Sequence, residues 1–219
     1  VNRDPFKDHA LRAVLFDLDG VLVDSFEVWR HLLNSALERH GRAPLDAAGF
    51  AVVWGQGMEA DIRIFFPGLT VPELQAYYEK TFRRYIGHLA VFPDARPVAE
   101  TLAGRGLRLA VASNSAPRII AETLEAARLA PLFPVAVGAG GRLRGKPEPD
   151  VVLEALAGVG ARPEEALFVG DSPYDMEAGE RAGVATVGLG RDGGRWRIER
   201  LGELLELPPL NDGESSEKM

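Results

Sequence analysis

Unbroken apolar runs recur along the chain at spacings that suit strands. Ala13-Val14-Leu15-Phe16 leads into Asp17, residues 107–113 read LRLAVAS, and residues 135–137 form a weaker run. Residues 166–170 (ALFVG) and 184–188 (VATVG) complete the set. Runs without polar alternation fit strands covered on both faces, as in parallel sheets. Helical periodicity fills the spaces between them: 94–105 closed by Gly106, 117–129, 150–157 with Pro149 near its start, and 173–182 closed by Gly183. Proline suits a first helical turn and glycine the position just past a last one. Strands alternating with helices predict an α/β fold with a mostly parallel sheet.

One block interrupts the alternation. Residues 25–92 carry helical patterns and no strand signal. Phe26, Trp29, Leu33, Ala36, Leu37 and His40 share one helical face, ended by Gly41. Thr70-Val71-Pro72-Glu73 is a capping box with proline in the first turn. The helix it opens carries Leu74, Tyr77, Tyr78, Thr81, Phe82, Tyr85 and Leu89 at steps of three and four. The expected organisation is a Rossmann-like, doubly wound α/β core (1–24 and 93–210) with an inserted all-helical cap domain (25–92). The polar stretch 211–219 is expected to be a disordered tail.

Composition narrows the picture. The 219 residues include no cysteine, which removes disulfides, thiolate metal sites and cysteine nucleophiles. Hydrophobic residues make up 46% and charged residues 26%, as in an ordinary soluble domain. The formal charge of -7 argues against nucleic-acid binding. No apolar run reaches the ~18 residues of a membrane span. The expected home is the cytoplasm, and the expected state a monomer.

Candidate chemistry gathers where the strands end. Asp17-Leu18-Asp19-Gly20 follows the first, Ser113-Asn114-Ser115 the second, Gly145-Lys146-Pro147 the third, and Gly170-Asp171-Ser172 the fourth, with Asp175 four residues on. Open α/β sheets bind ligands at the carboxyl ends of their strands. Asp17, Asp19, Asp171 and Asp175 set four negative charges against one from Lys146. Such a cluster needs a cation, and an oxygen-only donor set favours a hard one, with magnesium the usual occupant.

These segments resemble the four motifs of the haloacid dehalogenase-like superfamily, in order: Phe16 to Ser25, Ser113-Asn114, Lys146-Pro147, and Gly170 to Asp175. The helical insertion is similar to the C1 cap of the phosphoglycolate phosphatase-like branch. The resemblance implies a magnesium-dependent phosphatase for a small phosphorylated metabolite. Asp17 would be the nucleophile and form a phosphoaspartate. Asp19 would be general acid, then base, with its backbone carbonyl on the metal. Ser113 and the Asn114 amide would hold phosphate oxygens, and Lys146 would pair with phosphate and Asp17. Asp171 would bind magnesium together with Asp17, and Asp175 would support it. Dehalogenases of this fold lack the second aspartate, so Asp19 favours phosphoryl transfer. Phosphonate-cleaving relatives use a cap lysine, and the expected cap has only Lys80, inside a helix. A phosphosugar mutase of the β-phosphoglucomutase type and a non-catalytic partner protein of the same fold remain as alternatives.

Other features are weaker. Gly188-Leu189-Gly190-Arg191-Asp192-Gly193 matches a dinucleotide fingerprint but follows the last strong strand, so it reads as a flexible loop. His9, His31, His40 and His88 show no metal-pair spacing. The stripe Tyr77, Tyr78, Phe82, Tyr85 reads as cap core. Around Trp54-Gly55-Gln56-Gly57-Met58, Gln56 and Arg63 either reach the leaving group or belong to a plain inter-helix turn.

Overall fold

The computed structural model describes residue 6 and residues 9–211. The expected disordered tail lies, from residue 212 on, outside the described residues. In chain order the elements are β1 (Ala13–Phe16), β2 (Val23–Asp24), α1 (Phe26–Arg39), α2 (Ala47–Val53), α3 (Met58–Phe65), α4 (Val71–Thr81) and β3 (Ala90–Val91). There follow α5 (Ala95–Gly104), β4 (Arg108–Ser113), α6 (Pro117–Ala126), β5 (Val135–Gly138), α7 (Asp150–Val159), β6 (Ala166–Gly170), α8 (Pro173–Ala182), β7 (Ala185–Leu189) and β8 (Trp196–Ile198).

Six strands form one parallel sheet in the order β5-β4-β1-β6-β7-β8. All four residues of β1 are fully buried, which is why its sequence shows no polar alternation. Val14 and Phe16 face a cluster with Val98 and Leu102 of α5 and Leu124 of α6. Ala13 and Leu15 face the opposite cluster, with Val152 and Ala155 of α7 and Ala178 of α8. Each buried Val, Leu or Phe among them contributes about 1.5–3 kcal/mol by leaving water. The strand order reverses around β1, so the ends of β1, β4 and β6 bound a crevice at a switch point.

Helices α1–α4 build a separate cluster around Leu32, Leu37, Leu74, Tyr78 and Phe82. Asn34 locks the turn after α1 by exchanging two hydrogen bonds with the Leu45 backbone, each 2.8 Å. Arg83 crosses to the core, 3.1 Å from Glu122 of α6. The Thr70 capping box forms as expected, with Thr70 N–H donating to Glu73 at 2.8 Å.

The structure departs from the sequence expectation in three places. The helix opened at Thr70 stops at Thr81, and two 3-10 turns, Phe82–Arg84 and Ile86–His88, carry the chain back to the core. Residues 25–92 are not wholly helical: Ala90–Val91 pairs antiparallel with Val23–Asp24 where the insertion leaves and rejoins the core. A sixth core strand, β8, extends the sheet beyond the five expected runs. It is three residues long with an exposed arginine at its centre, too short for periodicity to reveal.

Candidate active site

Asp17 directly follows β1 and is 7% exposed. Its Oδ1 accepts the Leu18 N–H at 2.7 Å and lies 2.7 Å from Lys146 Nζ. The two contacts fix the rotation of the carboxylate and leave Oδ2 without a donor among the described residues. Lys146 Nζ also reaches Asp175 Oδ1 at 2.6 Å and donates to the Ala112 carbonyl at 3.1 Å. With all three ammonium donors used, the lysine is a fixed point charge.

Asp175 is fully buried in the first turn of α8. Its Oδ2 accepts from Ser172 N at 2.9 Å and Ser172 Oγ at 2.5 Å, a reciprocal cap that ties the helix start to Lys146. Carboxylate oxygens of Asp17, Asp171 and Asp175 lie within 4.8 Å of one another and could hold a metal ion. Glycine is required beside them. Gly20 has φ +87°, and a Cβ there would sit 2.1 Å from Asp171 Oδ2.

Electrostatics point the same way. Burial pushes the Asp17 carboxyl up from its ordinary range; Lys146 opposes this, and Asp175, Asp171 and Asp19 add to it. Burial, then Asp175, lifts Asp171 to about 7. Burial alone would lower Lys146, but Asp17 and Asp175 outweigh it and hold the ammonium above its usual range. One lysine therefore does not balance the buried carboxylates. An oxygen-only, electron-rich donor set of this kind fits a hard divalent cation.

Asp19 stands apart from this group. Its Oδ1 accepts from Ser25 Oγ and, at 3.1 Å, from Trp29 Nε1; its Oδ2 accepts from Ser115 Oγ at 2.9 Å. Ser25 and Trp29 come from the entry to the helical insertion and Ser115 from the end of β4, so the carboxylate is held between cap and core. Ser113 is buried, and its Oγ accepts the Ser115 N–H at 3.0 Å. The Asn114 side chain braces the lysine loop: its Oδ1 accepts Lys146 N–H at 2.6 Å and its Nδ2 donates to Lys146 O at 3.1 Å.

A cavity of about 280 Å³ lies between cap and core and brings these residues together. Its floor holds Asp17, Asp19, Ser113, Asn114, Lys146 and Asp171. The cap side supplies Trp29, Leu33, Phe50, Trp54, Gln56, Met58, Asp61, Gln75 and Tyr78. Of the two cap residues singled out from sequence, Gln56 lines this cavity. Arg63 is exposed and lines a neighbouring one of about 300 Å³ with Arg144 and Glu59.

Sequence reasoning missed several residues here. Tyr78 belongs to the cap core and also faces the cavity. Arg191, from the glycine-rich loop, lines the cavity and donates to the Asp171 carbonyl at 3.3 Å. Asp61 carried no signal, being one acid on an amphipathic helix. Ser115 was visible in the Ser-Asn-Ser run, and Trp29 sits one helical turn after Ser25. His31 stacks on His88 at 4.4 Å, outside this site.

A family model described as haloacid dehalogenase-like hydrolase matches residues 14–189. A phosphoglycolate phosphatase of Rhodospirillum rubrum is 31% identical over 214 residues, covering 88% of this chain and 85% of its own. A phosphoglycolate phosphatase of Aquifex aeolicus is 30% identical over 181 residues, covering 80% and 83%. The crystal structure of a HAD-superfamily hydrolase, subfamily IA, from Geobacter sulfurreducens superposes with a TM-score of 0.70 at 27% identity, covering 90% of this chain and 99% of its own.

Proposed function

Because the chain belongs to the haloacid dehalogenase-like hydrolases, we propose that it is a magnesium-dependent phosphatase working through a phosphoaspartate on Asp17. Its substrate is a small phosphorylated metabolite, held between a core (1–24 and 93–210) and a cap (25–92). Phosphoglycolate, named for the Rhodospirillum and Aquifex relatives, and sugar phosphates are the starting candidates.

One observation carries the reading: the two aspartates of Asp17-Leu18-Asp19 occupy different environments. Asp17 is clamped by Lys146 beside two further carboxylates, whereas Asp19 is held by neutral donors at the cap boundary. Carboxylates separated in this way can take different roles in one reaction. Asp17, Asp171 and the Asp19 carbonyl would hold magnesium, with Asp175 in support. When bound, the ion offsets repulsion between carboxylate and phosphate and stabilises charge on the transferring group.

The protein's own residues do the rest. Lys146 and Leu18 N–H fix Asp17 Oδ1, and Oδ2 attacks phosphorus. As the phosphorus–oxygen bond to the leaving group breaks, Asp19 gives that oxygen a proton. Asp19 then takes a proton from the water that attacks the phosphoaspartate, which frees phosphate and restores Asp17. Dividing the displacement into two steps and supplying a positioned acid-base group worth about 10²–10⁴-fold are standard gains. Ser113 and the Asn114 amide would hold the phosphate oxygens, with Lys146 supplying its positive charge beside them.

The test is phosphate release from p-nitrophenyl phosphate with and without magnesium. Release that requires the metal is the expected result. No release with any divalent cation would favour a non-catalytic partner protein. Conversion of a hexose 1-phosphate to its isomer without free phosphate would favour a mutase.

A further inference from the structure

We propose that the cavity selects phosphate monoesters whose leaving group has an apolar body and carries an amine at its far end, in preference to those carrying a carboxylate in that place. The proposal rests on the phosphatase reading and names the substrate class for that site.

The cap wall of the cavity is mostly apolar, built from Trp29, Leu33, Phe50, Trp54 and Met58, with Ile119 facing them from α6. Asp61 is the one charged residue that the cap contributes to this lining among the described residues. Its Oδ1 accepts from Gln56 Nε2 at 2.8 Å and its Oδ2 from the Tyr78 hydroxyl at 3.4 Å. Both donors are neutral. A carboxylate offers about four acceptor positions, so two remain for a ligand. Burial lifts Asp61 to about 6; Gln56 and Tyr78 oppose the rise and Glu59 adds to it. The group is thus mostly anionic at neutral pH, with no cation in contact among the described residues.

Two cations line the cavity from the core side. Lys146 is locked between Asp17 and Asp175, and Arg191 donates to the Asp171 carbonyl. Arg63 lines the neighbouring cavity instead. A carboxylate placed against Asp61 would meet a like charge between apolar walls, where like charges repel strongly and desolvation is costly. An ammonium there gains a charge-assisted hydrogen bond and relieves a half-partnered acid.

Three esters with similarly insulated leaving oxygens test this: para-aminomethylbenzyl, benzyl and para-carboxybenzyl phosphate. With the full chain and magnesium, kcat/KM is expected to fall in that order, by about tenfold or more from amine to carboxylate. In Asp61→Asn the amine-to-carboxylate ratio should collapse to within about threefold of unity, whatever the absolute rates. The wild-type order stands as a test by itself should that variant fold poorly. Equal or faster turnover of the carboxybenzyl ester, alongside ready hydrolysis of p-nitrophenyl phosphate, would overturn this proposal and leave the phosphatase reading intact. Failure to release phosphate from all four esters would overturn both.

Discussion

The floor and the roof of the cavity solve opposite problems. On the floor, Lys146 is matched to Asp17 and Asp175 at 2.7 and 2.6 Å, and the acids come from the ends of two neighbouring strands, β1 and β6. On the roof, Asp61 sits among aromatic and aliphatic side chains, its donors among the described residues being one amide and one phenol. The floor is a fixed charge array that suits phosphate and a metal whatever the ester. Among the described residues the roof has one charge, Asp61, in an apolar wall. In the proposed function, reaction type belongs to the core and selectivity to the cap, and substitutions in the two regions should fail differently.

The largest effect is expected at the floor. Asp17→Asn should lower kcat by on the order of 10⁴-fold or more while far-UV circular dichroism stays unchanged, because it would remove the proposed nucleophile but keep the shape. Lys146→Met should abolish activity and also destabilise the fold by about 3–5 kcal/mol, since it leaves two buried carboxylates without their cation. Urea denaturation measures the second loss. If Lys146→Met were as stable as the parent, the floor would not be the tightly coupled array described here.

At the roof the sign reverses. The folded protein raises the Asp61 carboxyl to about 6, above its unfolded value, so the folded state favours the protonated form. The stability this gives is fully present below about pH 4 and is lost as pH rises through about 6. Asp61→Asn should therefore be more stable than the parent at pH 7.5, by about 1–3 kcal/mol, with the gain vanishing near pH 4. Thermal melts across that range would show it; a variant destabilised at pH 7.5 would mean that Asp61 already has its charge satisfied. The smallest effect is expected farther out. Thr70→Ala should cost about 1 kcal/mol through loss of the α4 cap and leave the benzyl phosphate rate unchanged within about twofold.

What the sequence revealed follows the same division. The central strands were legible because each is buried on both faces and reads as an unbroken apolar run, as in Ala13–Phe16 and Ala166–Gly170. Their terminal acids, Ser113 and Lys146 were legible as polar residues in a recurring position. The roof was not, because its residues come together only in three dimensions. Tyr78 follows the same helical period whether it packs inward or faces a cavity, and Asp61 is one acid on a short helix. Arg191 was hidden for another reason: glycines on either side make its loop read as loose, yet a Cβ at Gly188 would lie 2.4 Å from the Arg191 carbonyl. Ala90–Val91 and Trp196–Ile198 are too short for any periodicity to mark.

The central claim is that phosphoryl transfer passes through Asp17. A rapid acid quench of magnesium-loaded enzyme mixed with p-nitrophenyl phosphate, followed by peptide mass spectrometry, tests it most directly. One phosphoryl group is expected on the peptide that contains Asp17, appearing before free phosphate accumulates and absent from Asp17→Asn. Phosphate release with no phosphorylated peptide at any time, or a phosphoryl group on another residue, would contradict it.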